Sequence, residues 1–376
     1  MQLKHLLIFF IISFSLAIPS LLREVPYGND SLYYLNLACG KTFSVQDMTP
    51  LLSKMFFENV GCNPIVWKVF PCLILFLCCI ILSFVGELFD KEKGWLVGLF
   101  AFGSFIFVQQ AFQFEDDVLA FPILFLSVYF YIKSKLQDKQ VLVGKNMIVA
   151  LLLVCFAGLF WKGAVFYLLV YSFGTIISLA GFLTANWLFQ ANPINSLMPN
   201  LNIGENIPFY GVLAHSIPLL IGIIYIPSII FAEALTWLAL GLLSIKIAFH
   251  AIPFLAVGFM ELIKQNASNK RLKNIYLLIA IVPLLSMVVI AFGFPAKQDI
   301  QAVEFAVEKA DGNAINNNWG LGYLITYYNG KPERFGSYTE ISHQGLTIAS
   351  DRDLYSKTFL KCKVLRKFGT WTVLEC

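Results

Sequence analysis

The chain has 376 residues, of which 58% are hydrophobic, 15% aromatic and only 13% charged, with a mean hydropathy of +0.72. These proportions exclude an ordinary soluble globule, a disordered chain and a collagen-like one, and they indicate an integral membrane protein. The formal net charge of +4 is small for this length, and no basic stripe interleaves with aromatics, so there is no electrostatic footprint for nucleic acid.

A bilayer-spanning helix needs about 20 mostly apolar residues, because lipid offers no partner to unpaired backbone groups. Eight or more stretches have that character: His5 to Leu22, Ile65 to Val85, Trp95 to Gln110, Val118 to Ile132, Met147 to Phe160, Ala164 to Phe189, Phe209 to Ile230, Phe231 to Leu262 and Ile275 to Phe294. Several are short for a simple crossing. The first also has the form of a signal peptide, with Lys4 ahead of an apolar core and Ser15 and Ala17 at small-residue spacing. Pro19 follows the cut site, and the reading preferred here is an uncleaved first helix that tethers the loop after it.

Basic residues favour the cytoplasmic side. Lys4, the turn with Lys91 and Lys93, the loop with Lys133, Lys135, Lys139 and Lys145, and the turn with Lys264, Lys270, Arg271 and Lys273 are therefore assigned inside. That places loops 23–64 and 111–117, and everything after Phe294, on the outer face. The stretch from Thr184 to Phe209 has no Lys or Arg and reads as external, whereas a single crossing after Lys162 would leave it inside. The number of helices there stays open.

Residues 1–294 thus form an α-helical polytopic membrane domain, and 295–376 a small α/β extracytoplasmic domain. Lys297 to Asp311 has the pattern of an amphipathic helix, and short strand-like runs follow between Gly, Asn and Asp. The final run from Cys362 to Cys376 reads as two strands about a turn near Gly369, which sets the two cysteines opposite each other for an external disulfide. Cys39 and Cys62 form a weaker second pair. Cys72, Cys78, Cys79 and Cys155 sit in apolar helices as small hydrophobes, and no C-x-x-C or Cys/His pattern supports zinc.

Glu115, Asp116 and Asp117 are three consecutive carboxylates joining two apolar helices. Each would cost about 2.5–3.5 kcal/mol at the bilayer centre, and like charges this close raise one another's pKa. A hard divalent cation, Mg²⁺ or Mn²⁺, is an economical compensation; a solvated acidic turn is the alternative. Asp30, on the same outer face, either caps the amphipathic segment Leu32 to Leu37 or serves as a metal ligand or base. Lys246 and His250, four residues apart on one helical face, either snorkel and pack or meet a lipid phosphate. Lys162 reads as an interfacial anchor beside Trp161, and Glu205 as either an exposed loop acid or a site residue.

The order of these features resembles the GT-C superfamily of membrane glycosyltransferases, most closely the catalytic subunit of oligosaccharyltransferase, over nearly the whole chain. Phe114-Glu-Asp-Asp-Val-Leu-Ala-Phe-Pro resembles that family's acidic second-loop motif, with Glu115 and Asp117 in its acidic positions. Asp30-Ser-Leu-Tyr-Tyr resembles the first-loop Asp-Pro-x-x-x-Tyr signature without its Pro. Phe160-Trp-Lys-Gly-Ala-Val-Phe is similar to Trp-Gly-Gly-Tyr-Val-Phe, and Ile203-Gly-Glu-Asn-Ile-Pro to Ser-x-x-Glu-x-x-Pro. Lys246, seven residues before Pro253, falls where the family places an Arg near the donor phosphate. Asn318-Trp-Gly-Leu-Gly-Tyr-Leu-Ile resembles Trp-Trp-Asp-Tyr-Gly-Tyr-Trp-Ile, with Gly320 replacing the Asp that helps recognise the acceptor hydroxyl.

The resemblance implies transfer of a sugar or oligosaccharide from a polyprenyl or dolichyl phosphate or pyrophosphate to protein asparagine, at the outer face of the cell membrane with the N-terminus inside. It implies Mn²⁺ or Mg²⁺ on Asp30, Glu115 and Asp117, catalysis by Asp30 and Glu205, phosphate contact by Lys246 and His250, and acceptor contact by Trp319, Gly320 and Tyr323. The missing nucleotide-binding glycine loop agrees with a lipid-borne donor. A GT-C transferase moving one sugar to a lipid, glycan or hydroxyl acceptor is the alternative enzyme reading, and a transporter or flippase the alternative from another class.

Overall fold

The computed structural model describes residues 2–41, 50–137, 144–168, 170–171, 217–243, 249–265, 273–293, 295–317, 321–334, 345–351 and 362–376. Its residues cluster into two compact units that follow space rather than chain order. One comprises Met1–Ile18, Thr49–Lys54 and Val69–Met287; the other comprises Pro19–Met48, Met55–Lys68 and Val288–Cys376. The expected division near residue 294 separates the last apolar helix from the tail; in the structure Pro19–Met48 and Met55–Lys68 cluster with the tail, and Thr49–Lys54 of the same loop clusters with the first unit.

The first unit is helical. Among the described residues, three helical segments are long and apolar enough to cross a membrane: Leu3–Leu21, Pro64–Glu87 and Asp116–Gln137. At 1.5 Å per residue, the 22 residues of Asp116–Gln137 extend about 33 Å, enough for a hydrocarbon core of about 30 Å. The stretch expected as one helix from Trp95 to Gln110 is instead two, Trp95–Ala101 and Phe105–Phe112, because Ser104 caps the second by accepting from the Phe107 amide at 3.4 Å. Within the long run Phe231 to Leu262, the described residues form the Ser228–Leu243 helix and, after residues 244–248, a short 3₁₀ turn at Phe249–Ala251 followed directly by Ile252–Gln265, the last with Pro253 in its first turn. A side chain at Gly98 would place its Cβ 2.2 Å from the carbonyl oxygen of Cys79, so glycine is what lets the Trp95 helix lie directly on the backbone of Pro64–Glu87.

The second unit is built on a sheet ordered β2-β1-β3-β5-β4, with β1 (Ala314–Asn317), β2 (Lys331–Arg334), β3 (Leu346–Ser350), β4 (Lys363–Phe368) and β5 (Trp371–Glu375). β1 is parallel to β2 and β3; β5 runs antiparallel to β3 and β4. The β4–β5 hairpin turns at Gly369, whose φ of +58° lies in the left-handed region that glycine enters without strain, as the turn near Gly369 predicts. The amphipathic helix Lys297–Ala310 covers the sheet with Ile300, Val303 and Ala306 against Ile315, Ile348 and Val373. Asp299 accepts from the Ala296 amide and from the Trp371 indole at 2.6 Å, fixing the helix start to β5.

Val25 and Leu32 of the first outer loop belong to this same core and are fully buried. Burying a leucine stabilises by about 2 kcal/mol, so the loop is part of the folded body and not a tether alone. Both expected disulfides are present in this unit, Cys39–Cys62 and Cys362–Cys376.

Candidate functional site

Glu115, Asp116 and Asp117 stand between the Phe105–Phe112 and Asp116–Gln137 helices. Glu115 and Asp117 are buried, at 5% and 3% exposure, and Asp116 is half-buried. Their carboxylate oxygens lie within 4.8 Å of one another. The chain arrives at this corner through Phe114, fully buried with a φ of +29°. That value is a true outlier for a bulky aromatic, and such strain costs about 1–3 kcal/mol. Its ring packs on Phe70 at 5.2 Å, which holds the outlier in place. The strained corner directs Glu115 and the first helical turn to one spot, where Val118 donates to the Glu115 carbonyl and the Asp117 amide to Asp116 Oδ1 at 3.0 Å. Two acids in the first turn also meet the positive end of the helix dipole. Clustered carboxylate oxygens of this kind could hold a divalent metal ion.

His250 lies in the same unit, fully buried in the 3₁₀ turn. Its Nδ1 bonds the Tyr167 hydroxyl at 2.5 Å, and its ring packs on Trp161 at 5.1 Å and Trp237 at 5.0 Å. Lys246, Glu205, Trp319 and Gly320, as well as the open helix count after Ala164, fall outside the described residues.

Sequence reasoning missed a further buried acid in the first unit. Glu233, in the Ser228–Leu243 helix and 4% exposed, forms an ion pair with Lys135 and accepts from the Tyr131 hydroxyl at 2.7 Å. Tyr131 stacks on Tyr171 at 4.0 Å, whose hydroxyl meets Ser127 Oγ at 3.1 Å. An acid in an apolar helix with no nearby base in sequence was the available signal. Lys135 and Tyr131 occupy the end of the Asp116–Gln137 helix opposite the acidic corner.

In the second unit, Asp30 lies in the first turn of the Asn29–Ala38 helix, whose N-cap position is taken by Gly28. Of the two readings given for Asp30, capping is the one this removes, since the helix begins one residue before it. Tyr323 lies in the Gly322–Tyr327 helix, buried, with its ring 5.3 Å from that of Tyr33.

No protein-family model matches the chain, and no characterised protein matches it in sequence. In fold it is similar to the oligosaccharyltransferase of Archaeoglobus fulgidus in its apo form, with a TM-score of 0.56 at 11% identity, over 93% of this chain and 70% of that one. The likeness is one of fold, and it extends across both units.

Proposed function

We propose that this protein is a membrane glycosyltransferase of the GT-C type that transfers a sugar or oligosaccharide from a polyprenyl-linked phosphate or pyrophosphate to a protein asparagine at the outer membrane face. The observation that carries this reading is the buried carboxylate pair Glu115 and Asp117 at the end of a membrane-length helix, in a fold shared along its length with an archaeal oligosaccharyltransferase.

In this reading the acceptor nitrogen bonds to the sugar's anomeric carbon as the carbon–oxygen bond to phosphate breaks, its electron pair leaving with the phosphate. The anomeric carbon gains oxocarbenium character, so the site must stabilise an anionic leaving group. Glu115 and Asp117, with Asp30 as the further proposed ligand, would hold a hard divalent cation, whose charge would neutralise that leaving group. Lys246 would meet the donor phosphate as a point charge, together with His250, which lies four residues later in sequence and is anchored by Tyr167. Asp30 and Glu205 hold the acceptor amide or take its proton, and Trp319, Gly320 and Tyr323 contact the acceptor. With glycine at 320, the acceptor hydroxyl is read less strictly than an aspartate there would read it.

The test is to incubate the purified protein with lipid-linked oligosaccharide, Mn²⁺ and either a sequon peptide or a lipid acceptor. A glycosylated peptide supports the reading. A product formed only on the lipid acceptor replaces asparagine with another acceptor, and no product on either overturns the assignment.

A further inference from the structure

Asn36 is fully buried in the Asn29–Ala38 helix, six residues beyond Asp30, about 9 Å along the axis. Its Nδ2 donates to the backbone carbonyl of Tyr323 at 2.8 Å, across 287 residues of chain. Tyr323 belongs to the Gly322–Tyr327 helix, which begins directly after the segment holding Trp319 and Gly320. The same two helices meet at the Tyr33 and Tyr323 rings, and Leu32 and Leu324 share one core. Lys41, just past the first helix, donates to the carbonyls of Thr326 at 3.1 Å and Tyr327 at 2.5 Å, closing the C-terminal end of the second.

Asn36 is poorly explained as a stabilising residue. Among the described residues its Oδ1 has no hydrogen-bond partner, and a buried polar atom in that state costs about 1–3 kcal/mol. An apolar side chain would fill the space more cheaply, but it would not fix how the two helices sit along one another. A directed hydrogen bond does.

We infer that Asn36 is a positioning residue, with Lys41 as its support: it sets the Asp30-bearing helix against the Gly322–Tyr327 helix that carries Tyr323. The register between the backbone of the Asp30-bearing helix and that of Tyr323, the described residue proposed to contact the acceptor, is set by this bond inside one unit. The inference rests on the function proposed above, and misplacement by about 1 Å at such a distance from the chemistry can cost up to about a hundredfold in rate.

The full-length protein is assayed with lipid-linked oligosaccharide, Mn²⁺ and a sequon peptide, with each substrate varied in turn. Asn36→Ala is expected to lower kcat/KM for the peptide by about tenfold or more while leaving the KM for the donor unchanged; Asn36→Gln, which keeps the donor amide, recovers part of the loss. A folded Asn36→Ala protein with wild-type peptide kinetics, or one that loses donor and peptide kinetics equally, overturns the inference. Should Asn36→Ala not fold, Lys41→Met takes its place: the same peptide-selective loss is expected, and unchanged kinetics overturn the inference. Asp30→Ala separates the two levels. An active Asp30→Ala enzyme removes the catalytic reading and the positioning with it, whereas an inactive one beside a normal Asn36→Ala enzyme defeats the positioning alone.

Discussion

The Nη1 of Arg23 donates to the carbonyl oxygen of Ile290 at 2.7 Å, joining positions 267 residues apart. The same guanidinium reaches the carbonyls of Ala291 at 3.2 Å, Gly293 at 3.1 Å and Pro295 at 2.6 Å, and lies over the Tyr27 ring. It therefore satisfies carbonyls that the end of the Lys273–Phe292 helix leaves open, where a positive charge also suits the helix dipole. Burial lowers its pKa, yet an arginine starts so high that it remains charged at neutral pH. Arg23→Lys keeps the charge but loses the planar fork. The substitution is expected to cost about 1–2 kcal/mol and to lower the Tm measured in detergent; an unchanged Tm would show that a point charge suffices.

The three acids of the corner differ in exposure, and that predicts unequal roles. Glu115→Ala and Asp117→Ala are expected to abolish glycosyl transfer in folded protein, whereas Asp116→Ala, at the half-buried position, retains most of it. Chelation should reproduce the loss and added Mn²⁺ reverse it. Equal loss from all three substitutions would argue for a shared structural role.

Removing Glu233 leaves the Tyr131 hydroxyl and the Lys135 ammonium without their shared acceptor. Breaking a buried ion pair costs about 3–5 kcal/mol, and partial exposure of Lys135 places Glu233→Ala at the lower end. A double-mutant cycle with Lys135→Met measures the coupling. A coupling near zero would mean that the tyrosine bond alone holds the acid.

Asp90, in the turn after the Pro64–Glu87 helix, accepts from the amides of Lys93 and Glu92 at 3.0 Å and pairs with Lys264 at 3.4 Å. The Lys93 amide is the chief cause of a carboxyl pKa held below its ordinary value. A depressed carboxyl pKa stabilises the fold above the unfolded value of about 3.9, and that stability is lost as pH falls through the folded value. Asp90→Asn should therefore be less stable than the parent at neutral pH, with the gap closing below about pH 4. A pH-independent gap would assign the effect to packing.

The parts of the fold that were legible in sequence have local causes. The tail helix, the Gly369 hairpin, both disulfide pairs and the acidic corner each follow from patterns within a few residues or from spacing between cysteines. Periodicity could not show that the run from Trp95 to Gln110 breaks at Ser104, since a serine inside an apolar run also reads as a tolerated helix residue. Nor could it pair Asn36 with Tyr323, or Glu233 with Lys135 98 positions away, because long-range hydrogen bonds leave no periodic trace. Of the candidate site, Glu115 and Asp117 were legible as a charged anomaly in an apolar context. The strain at Phe114 that aims them depends on φ, which no side-chain pattern encodes.

Cys39–Cys62 and Cys362–Cys376 staple the same body at two places, one in the outer loop and one in the terminal hairpin. Thiols on the reducing side of a membrane do not stay paired. Recombinant material made in a host that cannot oxidise these pairs would thus carry four further free sulfhydryls and a slack second unit, even with its apolar helices correctly inserted. Yield of competent enzyme should track the host's oxidative folding capacity more closely than its capacity for membrane insertion.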